Sequence, residues 1–287
     1  MRIAIDAYCF HRYFSAVYPD LEQDPGQSLT LEQVIDRAVA LGVEGISLES
    51  FMLDDDAPSR LRNLRDQLDA GDLERVWAWG HPDGLGSGSR PEALHDLCHH
   101  IEIASCLGAK VMRICAGGRR TRPSDWRHHR AALLPLLQRA ADHAGENGLV
   151  LAIENHLDLL TGELVELLET LDHPHLGACL DTANNLRMLE DPERAINDLA
   201  PWARATHVKD IQAYRGDPRT FAFWPSVPLG KGLIDIPGVI KTLKQHGYQG
   251  LLALEIDYLH PHYRDVHGNE DDAIIESLDY LRRLLAP

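Results

Sequence analysis

Apolar and polar positions along the chain switch repeatedly between two periods. Segments with helical spacing end at glycine, and a short aliphatic run follows that closes on a polar residue. LEQVIDRAVALGVEGISLES (31–50), HDLCHHIEIASCLGAKVMRICAG (95–117), LLPLLQRAADHAGENGLVLAIENH (133–156) and VIKTLKQHGYQGLLALEID (239–257) all have this form. The glycine supplies the left-handed conformation that stops a helix. The run after it is too short for a helix and reads as a strand buried on both faces. Such strands alternating with helices predict parallel crossover units.

Eight strands are expected, over residues 2–7, 45–49, 76–80, 110–115, 150–154, 177–181, 205–209 and 251–255. Thr30 and Gln33 form a capping-box pair ahead of the first helix. Eight units in 287 residues match a single-domain (β/α)8 TIM barrel covering residues 1–287. An open doubly wound sheet is the competing arrangement. It usually carries a glycine-rich phosphate loop after its first strand, and DAYCFHRYF offers none. Two long loops, residues 10–29 and 212–232, are rich in aromatics. Loops of that length are usually functional, and in a barrel the βα loops lie on the active-site face.

Composition narrows the function. The net charge of −16 argues against nucleic acid, which is bound by displacing counterions with Lys and Arg. No apolar run reaches the roughly 20 residues that span a bilayer. The N-terminus shows no basic segment followed by a long apolar one. Cys9, Cys98, Cys106, Cys115 and Cys179 are scattered without CxxC spacing and read as buried, reduced thiols of a cytoplasmic protein.

The candidate chemistry sits at the ends of the late strands: Glu154 and His156, Asp181, His207 and Lys209, Glu255 and Asp257. Glu154, Asp181, His207 and Glu255 are 27, 26 and 48 residues apart in turn, which is one βα unit, one unit, and one unit with a long loop. They therefore converge on the catalytic end of a barrel. Three carboxylates in one mouth repel each other unless a cation joins them. Three oxygen ligands and one imidazole suit Mn²⁺ best, with Co²⁺, Mg²⁺ or Zn²⁺ as alternatives. A lone polar residue at a strand end is more often a cap; the set of four in this rhythm is what carries the metal reading.

His156 is a candidate to bind a hydroxyl or move a proton. Lys209 shares the interior face with His207 by strand alternation, and is either a substrate residue or the partner of Asp210 or Glu255. His11, Glu49, His81 and Arg113 end or follow the first four strands and, with Asn184, are candidate substrate-binding residues. Tyr13, Phe14, Phe223 and Trp224 would stack on a sugar or a hydrophobic aglycone, or else pack the core or a lid, and one of Trp77 and Trp79 belongs to the core. Arg113, Arg119, Arg120 and Lys231 could bind an anion or serve ion pairs. The pairs His99–His100 and His128–His129 read as solvated helix surface.

With these residues in place, the chain resembles the xylose isomerase-like barrels, the sugar phosphate isomerase/epimerase family. ALGVEGISLE, IENH, LDTAN, HVKD and GKGLIDIPGVIKTLKQHGYQGLLALE carry the resemblance. It implies metal ligation by Glu154, Asp181, His207 and Glu255, with Glu154 and Glu255 also acting as an acid–base pair on a keto-sugar. It implies a homo-oligomer and a small carbohydrate substrate. Within the same superfamily, a lyase acting on 3-oxo sugars is the first alternative, either decarboxylating a sugar acid or cleaving a C-glycoside together with a small partner subunit. An endonuclease IV-like phosphodiesterase and a non-catalytic scaffold are remoter. The first would need many more histidines at strand ends, and the second a broken ligand set.

Overall fold

The computed structural model describes residues 1–286. Eight parallel strands close into a barrel: β1 (Arg2–Asp6), β2 (Gly45–Glu49), β3 (Glu74–Trp79), β4 (Val111–Ile114), β5 (Val150–Glu154), β6 (Leu176–Asp181), β7 (Ala203–Val208) and β8 (Leu251–Leu254). Each strand pairs with its sequence neighbours, and β8 closes against β1 with Arg2 opposite Leu251 and Ile5 opposite Leu254. The open-sheet alternative is therefore excluded. All eight expected strands are present, with ends shifted by at most two residues. The connecting helices are α1 (Leu31–Ala40), α2 (Pro58–Ala70), α3 (Ala93–Cys106), α4 (Trp126–Glu146), α5 (Thr161–Leu171), a short α6 (Asn184–Arg187), α7 (Pro192–Leu199), α8 (Ile236–Gln245), α9 (Pro261–His267) and α10 (Glu270–Leu285). No helix among the described residues is long and apolar enough to cross a membrane.

Local sequence explains the helix starts. The Thr30 hydroxyl accepts from the Gln33 N–H, while the Gln33 side chain accepts from the Thr30 N–H. Asn269 and Asp272 repeat that exchange at α10. Alternation along the strands then sorts the side chains. The outward set, including Ile5, Ile46, Leu48, Trp77, Met112, Ile153, Leu180 and Val208, joins the helices in one large core. The inward set is mostly small: Ala4, Val76, Leu251 and Ala253 in one group with Val111 against it, Ala152, Cys179 and Ala205 in another. Small interior residues leave room at the C-terminal end for a further ring, and that ring is polar.

Three expectations need correcting. His129 is fully buried under the β4–α4 loop beside Asp158, and His100 is half-buried with its ring stacked on Trp77; only His99 and His128 are exposed. Trp77 and Trp79 both belong to the core, because residues two apart on a strand share a face. Cys98 is half-buried and Cys106 exposed, since each lies on the outer side of α3; all five cysteines are free thiols.

Trp77 is among the largest fully buried side chains. Trp77→Ala should lower the unfolding free energy by about 3–5 kcal/mol, as large-to-small core changes do. A denaturant titration would show a lower midpoint at an unchanged slope.

Candidate active site

The barrel mouth gathers six carboxylates, each buried: Asp6, Glu49, Glu154, Asp181, Glu255 and Asp257. Three buried cations face them, Arg113, Arg187 and Lys209, together with His207. This concentration of charge out of water requires pairing, hydrogen bonds or a bound cation.

His207 lies at its centre. Its Nδ1 is 2.8 Å from Glu255 Oε2, 3.6 Å from Glu154 Oε1 and 3.9 Å from Asp181 Oδ2. Its Nε2 is 3.2 Å from Asp6 Oδ2. Burial alone would discharge the ring, but Cys179, Glu255, Glu154 and Asp6 outweigh it and hold the imidazole protonated. Glu154, Asp181 and His207 each offer a ligand atom, all within 4.8 Å of one another. Asp181 Oδ1 is occupied by the N–H groups of Ala183 and Asn184, both at 2.8 Å. The atoms Asp181 Oδ2, His207 Nδ1 and Glu255 Oε2 are buried and have no hydrogen-bond partner among the described residues. Buried polar atoms are rarely left so, and a set of oxygens around one imidazole nitrogen is a donor set that fits a divalent cation.

The strand ends are held in register by specific contacts. Asn155 brackets Asp181, accepting from its N–H at 2.7 Å and donating to its C=O at 2.9 Å. Asn184 Nδ2 donates to Glu154 Oε1 at 3.0 Å. Glu154 is held ionised against its burial by His207 and Arg113. Asp181 is pushed up by burial and by Glu255 and Glu154, with Lys209 opposing. Lys209 Nζ bridges Asp181, Glu255 and Asp257 at 3.1, 3.0 and 3.0 Å. Of the two partners open to it on sequence grounds, it takes Glu255. Asp210 turns away to accept backbone N–H groups.

A narrow cavity of about 40 Å³, partly open to solvent, lies over this ring. Of the sequence candidates, Glu154, His156, Asn184, His207, Lys209, Glu255, His81 and Arg113 line it. His156 Nδ1 is 2.7 Å from the Gly117 C=O, so Nδ1 carries the proton and Nε2 is left as an acceptor. Three candidates do not line it: Asp181 lies in the buried ring beneath, 3.9 Å from His207, and Glu49 and His11 lie elsewhere. Glu49 sits behind Arg113, hydrogen-bonded to it, and burial raises its carboxyl to about 8 although Arg113 opposes. His11 is buried in the 3₁₀ turn after β1, with one nitrogen 2.7 Å from the Tyr8 C=O, the other 2.9 Å from Glu22, and its face stacked on Tyr8.

Asp6, beneath the cavity, and the lining residues Arg187, Tyr8, Tyr18 and Phe221 were not singled out from the sequence, whereas Asp257 was. Asp6 ends the apolar run RIAID as Glu255 ends LLALE, and that parallel could have found it. Arg187 and Asp257 form a buried pair at 2.6 Å, and Lys209 joins it. Tyr8, Tyr18 and Phe221 wall the opposite side; Tyr18 stacks on Phe221 across the two long loops, and its hydroxyl meets that of Tyr8 at 2.7 Å. Of the roles open to the four loop aromatics, the structure shows core packing: Tyr13, Phe14 and Phe223 are half-buried against the core, Trp224 is buried in it, and none lines the cavity.

The comparisons with known proteins agree with this architecture. Residues 35–284 match the model of the xylose isomerase-like TIM barrel family, and the chain belongs to that family. An inosose dehydratase from Clostridium beijerinckii is 22% identical over 262 residues, covering 82% of this chain and 84% of that protein. A 3-oxo-isoapionate decarboxylase from Pectobacterium atrosepticum is 24% identical over 160 residues, so the match spans only 56% of this chain and 56% of that relative. A D-psicose 3-epimerase solved in the presence of D-fructose superposes with a TM-score of 0.74 at 16% identity, with 100% of both chains covered, which establishes the shared fold.

His81 supplies a test of the site's electrostatics. Burial, Arg113 and His156 pull its pKa down to about 3, with Glu154 opposing. The unfolded chain gains this proton near the ordinary value of about 6.5, and the folded one only near 3. Folding stability therefore falls as pH drops through that window. In His81→Gln the acid-side slope of unfolding free energy against pH should be shallower; an unchanged slope would show that His81 titrates normally.

Proposed function

We propose that the chain is a divalent-metal-dependent isomerase or epimerase that moves a proton at the carbon beside the carbonyl of a keto-sugar. The observation that carries this is the convergence of buried Glu154, Asp181 and Glu255 oxygens on His207 Nδ1, paired there by charge with no aligned hydrogen bond to the Asp181 Oδ2 and Glu255 Oε2 atoms. Glu154, Asp181, His207 and Glu255 would hold the cation, with Mn²⁺ favoured by the oxygen-rich set and Co²⁺, Mg²⁺ or Zn²⁺ as alternatives. When bound, it would supply Lewis acidity that polarises a substrate carbonyl and acidifies the adjacent C–H.

The protein's own groups divide the remaining work. Glu154 and Glu255 lie on β5 and just beyond β8, both facing His207 Nδ1. One takes the proton from the substrate carbon; the other returns a proton to the opposite face, or to the neighbouring carbon. Lys209, 3.0 Å from Glu255, stabilises negative charge as it develops on the substrate oxygens. His156 Nε2 accepts a hydroxyl proton, and Asn184 fixes Glu154. His81 and Arg113 complete the sugar-binding wall, with Tyr8, Tyr18 and Phe221 offering faces to C–H groups. Asp6 holds His207 so that Nδ1 faces the other ligands, a partner role common for metal-binding histidines.

A second reading shares the first step. Proton abstraction beside a ketone also drives elimination, and one sequence relative is a dehydratase; the other is a decarboxylase, and loss of CO₂ from a 3-oxo acid reaches the same kind of enolate without removing a proton from carbon. A lyase acting on a 3-oxo sugar is therefore the alternative; if the leaving group is an aromatic C-glycoside, a small partner subunit is expected. Otherwise the proposed assembly is a homo-oligomer in the cytoplasm, with neither nucleic acid nor membrane as a partner.

Two experiments test the proposal. The Mn²⁺-loaded protein in D₂O should wash deuterium into ketoses beside the carbonyl, and Glu255→Gln should slow exchange by roughly 10²–10⁴-fold, the range for general acid–base groups. Product analysis separates epimerisation from elimination; absence of exchange on every ketone and 3-oxo glycoside would remove both readings. Asp6→Asn should weaken Mn²⁺ about 10–100-fold in a chelator competition, while an unchanged affinity would mean that Asp6 does not orient the ligand.

A further inference from the structure

We infer that Asp158, which lies outside the cavity, is a positioning residue for His156 and acts on it through a row of hydrogen bonds that crosses a peptide group. The inference rests on the reading above, in which His156 Nε2 accepts a substrate hydroxyl proton.

The row starts at the cavity wall. His156 Nδ1 donates to the Gly117 C=O at 2.7 Å. That carbonyl shares one planar peptide group with the Gly118 N–H, which donates to Thr121 Oγ1 at 2.9 Å. Thr121 Oγ1 lies 2.8 Å from Ser87 Oγ, and Ser87 Oγ lies 2.9 Å from Asp158 Oδ2. The directions follow from counting hydrogens. A carboxylate only accepts, so the Ser87 hydroxyl donates to Asp158. Ser87 Oγ is then left to accept, and Thr121 supplies its single hydrogen there. The other acceptor within reach of Thr121, the Gly118 C=O, is farther away at 3.0 Å. Every donor thus points from His156 toward Asp158. Hydrogen bonds in such a row polarise one another, and do so more strongly out of water. The charge on Asp158 makes the Gly117 oxygen a stronger acceptor, which holds the proton on Nδ1 and leaves Nε2 free to accept. No proton is transferred along the row.

The backbone is shaped around this row. Gly117 has no room for a side chain, because a Cβ there would overlap Ser87 Oγ and lie 2.6 Å from Thr121 Oγ1. Ser87 takes a φ of +53°, a left-handed conformation uncommon for serine. Its N–H is tied to the Ala116 C=O at 2.8 Å. Such strain persists where the surroundings over-determine it, and it clusters at functional sites. Asp158 is anchored separately. Its C=O accepts from Arg122, which also pairs with Glu163 at 2.6 Å, and His129 Nε2 faces its Oδ2 at 3.5 Å. Ser87, His129 and Asp158 are buried. Ser87, Thr121 and Asp158 come from the loops after β3, β4 and β5, and none of them lines the cavity, whereas His156 does.

The test reads His156 directly, in the metal-free protein without substrate. With ¹⁵N-labelled histidine, its Nδ1–H should give a downfield proton resonance, assigned by its loss in His156→Gln. In Asp158→Asn, Ser87→Gly and Thr121→Val this resonance should move upfield. Its exchange with water should quicken roughly 2–10-fold, the net worth of one hydrogen bond. Thr121→Ser keeps the hydroxyl and should leave the resonance in place. Ser87→Gly suits the positive φ of its turn, and Thr121 is only half-buried, so the test does not hang on the buried carboxylate alone. A His156 resonance unchanged in all three disruptive variants would overturn the inference, since these residues would then only hold the loops together. On the Mn²⁺-loaded protein, the same three variants should slow deuterium exchange into a ketose by a similar factor, and Thr121→Ser should not. Absence of exchange in the parent protein would instead remove the keto-sugar reading, and the His156 resonance would still decide this inference.

Discussion

The interaction on which the mouth of this barrel depends is the mutual repulsion of carboxylates that cannot reach water. Asp6, Glu49, Glu154, Asp181, Glu255 and Asp257 occupy one end of a closed sheet, and even with Glu49 kept largely neutral by burial the other five outnumber the three fixed cations among them. The remedies are visible in the geometry. Arg187 and Lys209 bind Asp257, Arg113 binds Glu49, the Asp181 oxygen that faces the backbone takes two N–H groups, and His207 is drawn into a charged form. Among the buried atoms still without an aligned hydrogen bond are Asp181 Oδ2, Glu255 Oε2 and the His207 Nδ1 they face. A divalent cation would resolve that remainder and displace the imidazole proton, which couples ligand affinity to pH.

The fold makes this arrangement possible in two ways. Small residues fill the barrel below the polar ring, so long side chains from opposite strands can meet across the axis. The outward faces of the same strands pack against the helices in one continuous core, which supplies the stability that the polar ring does not. The long loops then close over the top, where Tyr18 from one stacks on Phe221 from the other. The cavity beneath is shaped by elements far apart in sequence.

Much of this was legible in the chain. The alternation of glycine-ended helices with short aliphatic runs locates all eight strands, because hydrophobic periodicity and helix caps are local properties. The ends of β5, β6, β7 and β8 announce Glu154, Asp181, His207 and Glu255, because a carboxylate closing an apolar run is costly unless it has a partner. His11 and Glu49 end or follow strands in the same manner, yet they face a turn and an arginine rather than the cavity. Position along a strand gives the level of a residue in the barrel, not what it meets there.

The sequence by itself determined the barrel, the end of it that carries chemistry, and the four residues whose types suit a metal. It did so because each rests on spacing within a βα unit. Only the tertiary structure decided which cations are free and which are taken, that Asp6 stands behind His207, that Asp210 accepts the N–H groups of its own loop, and that His129 is buried. Each of these is a contact across the barrel or between loops, and burial and charge pairing follow from three-dimensional neighbours that no local pattern encodes.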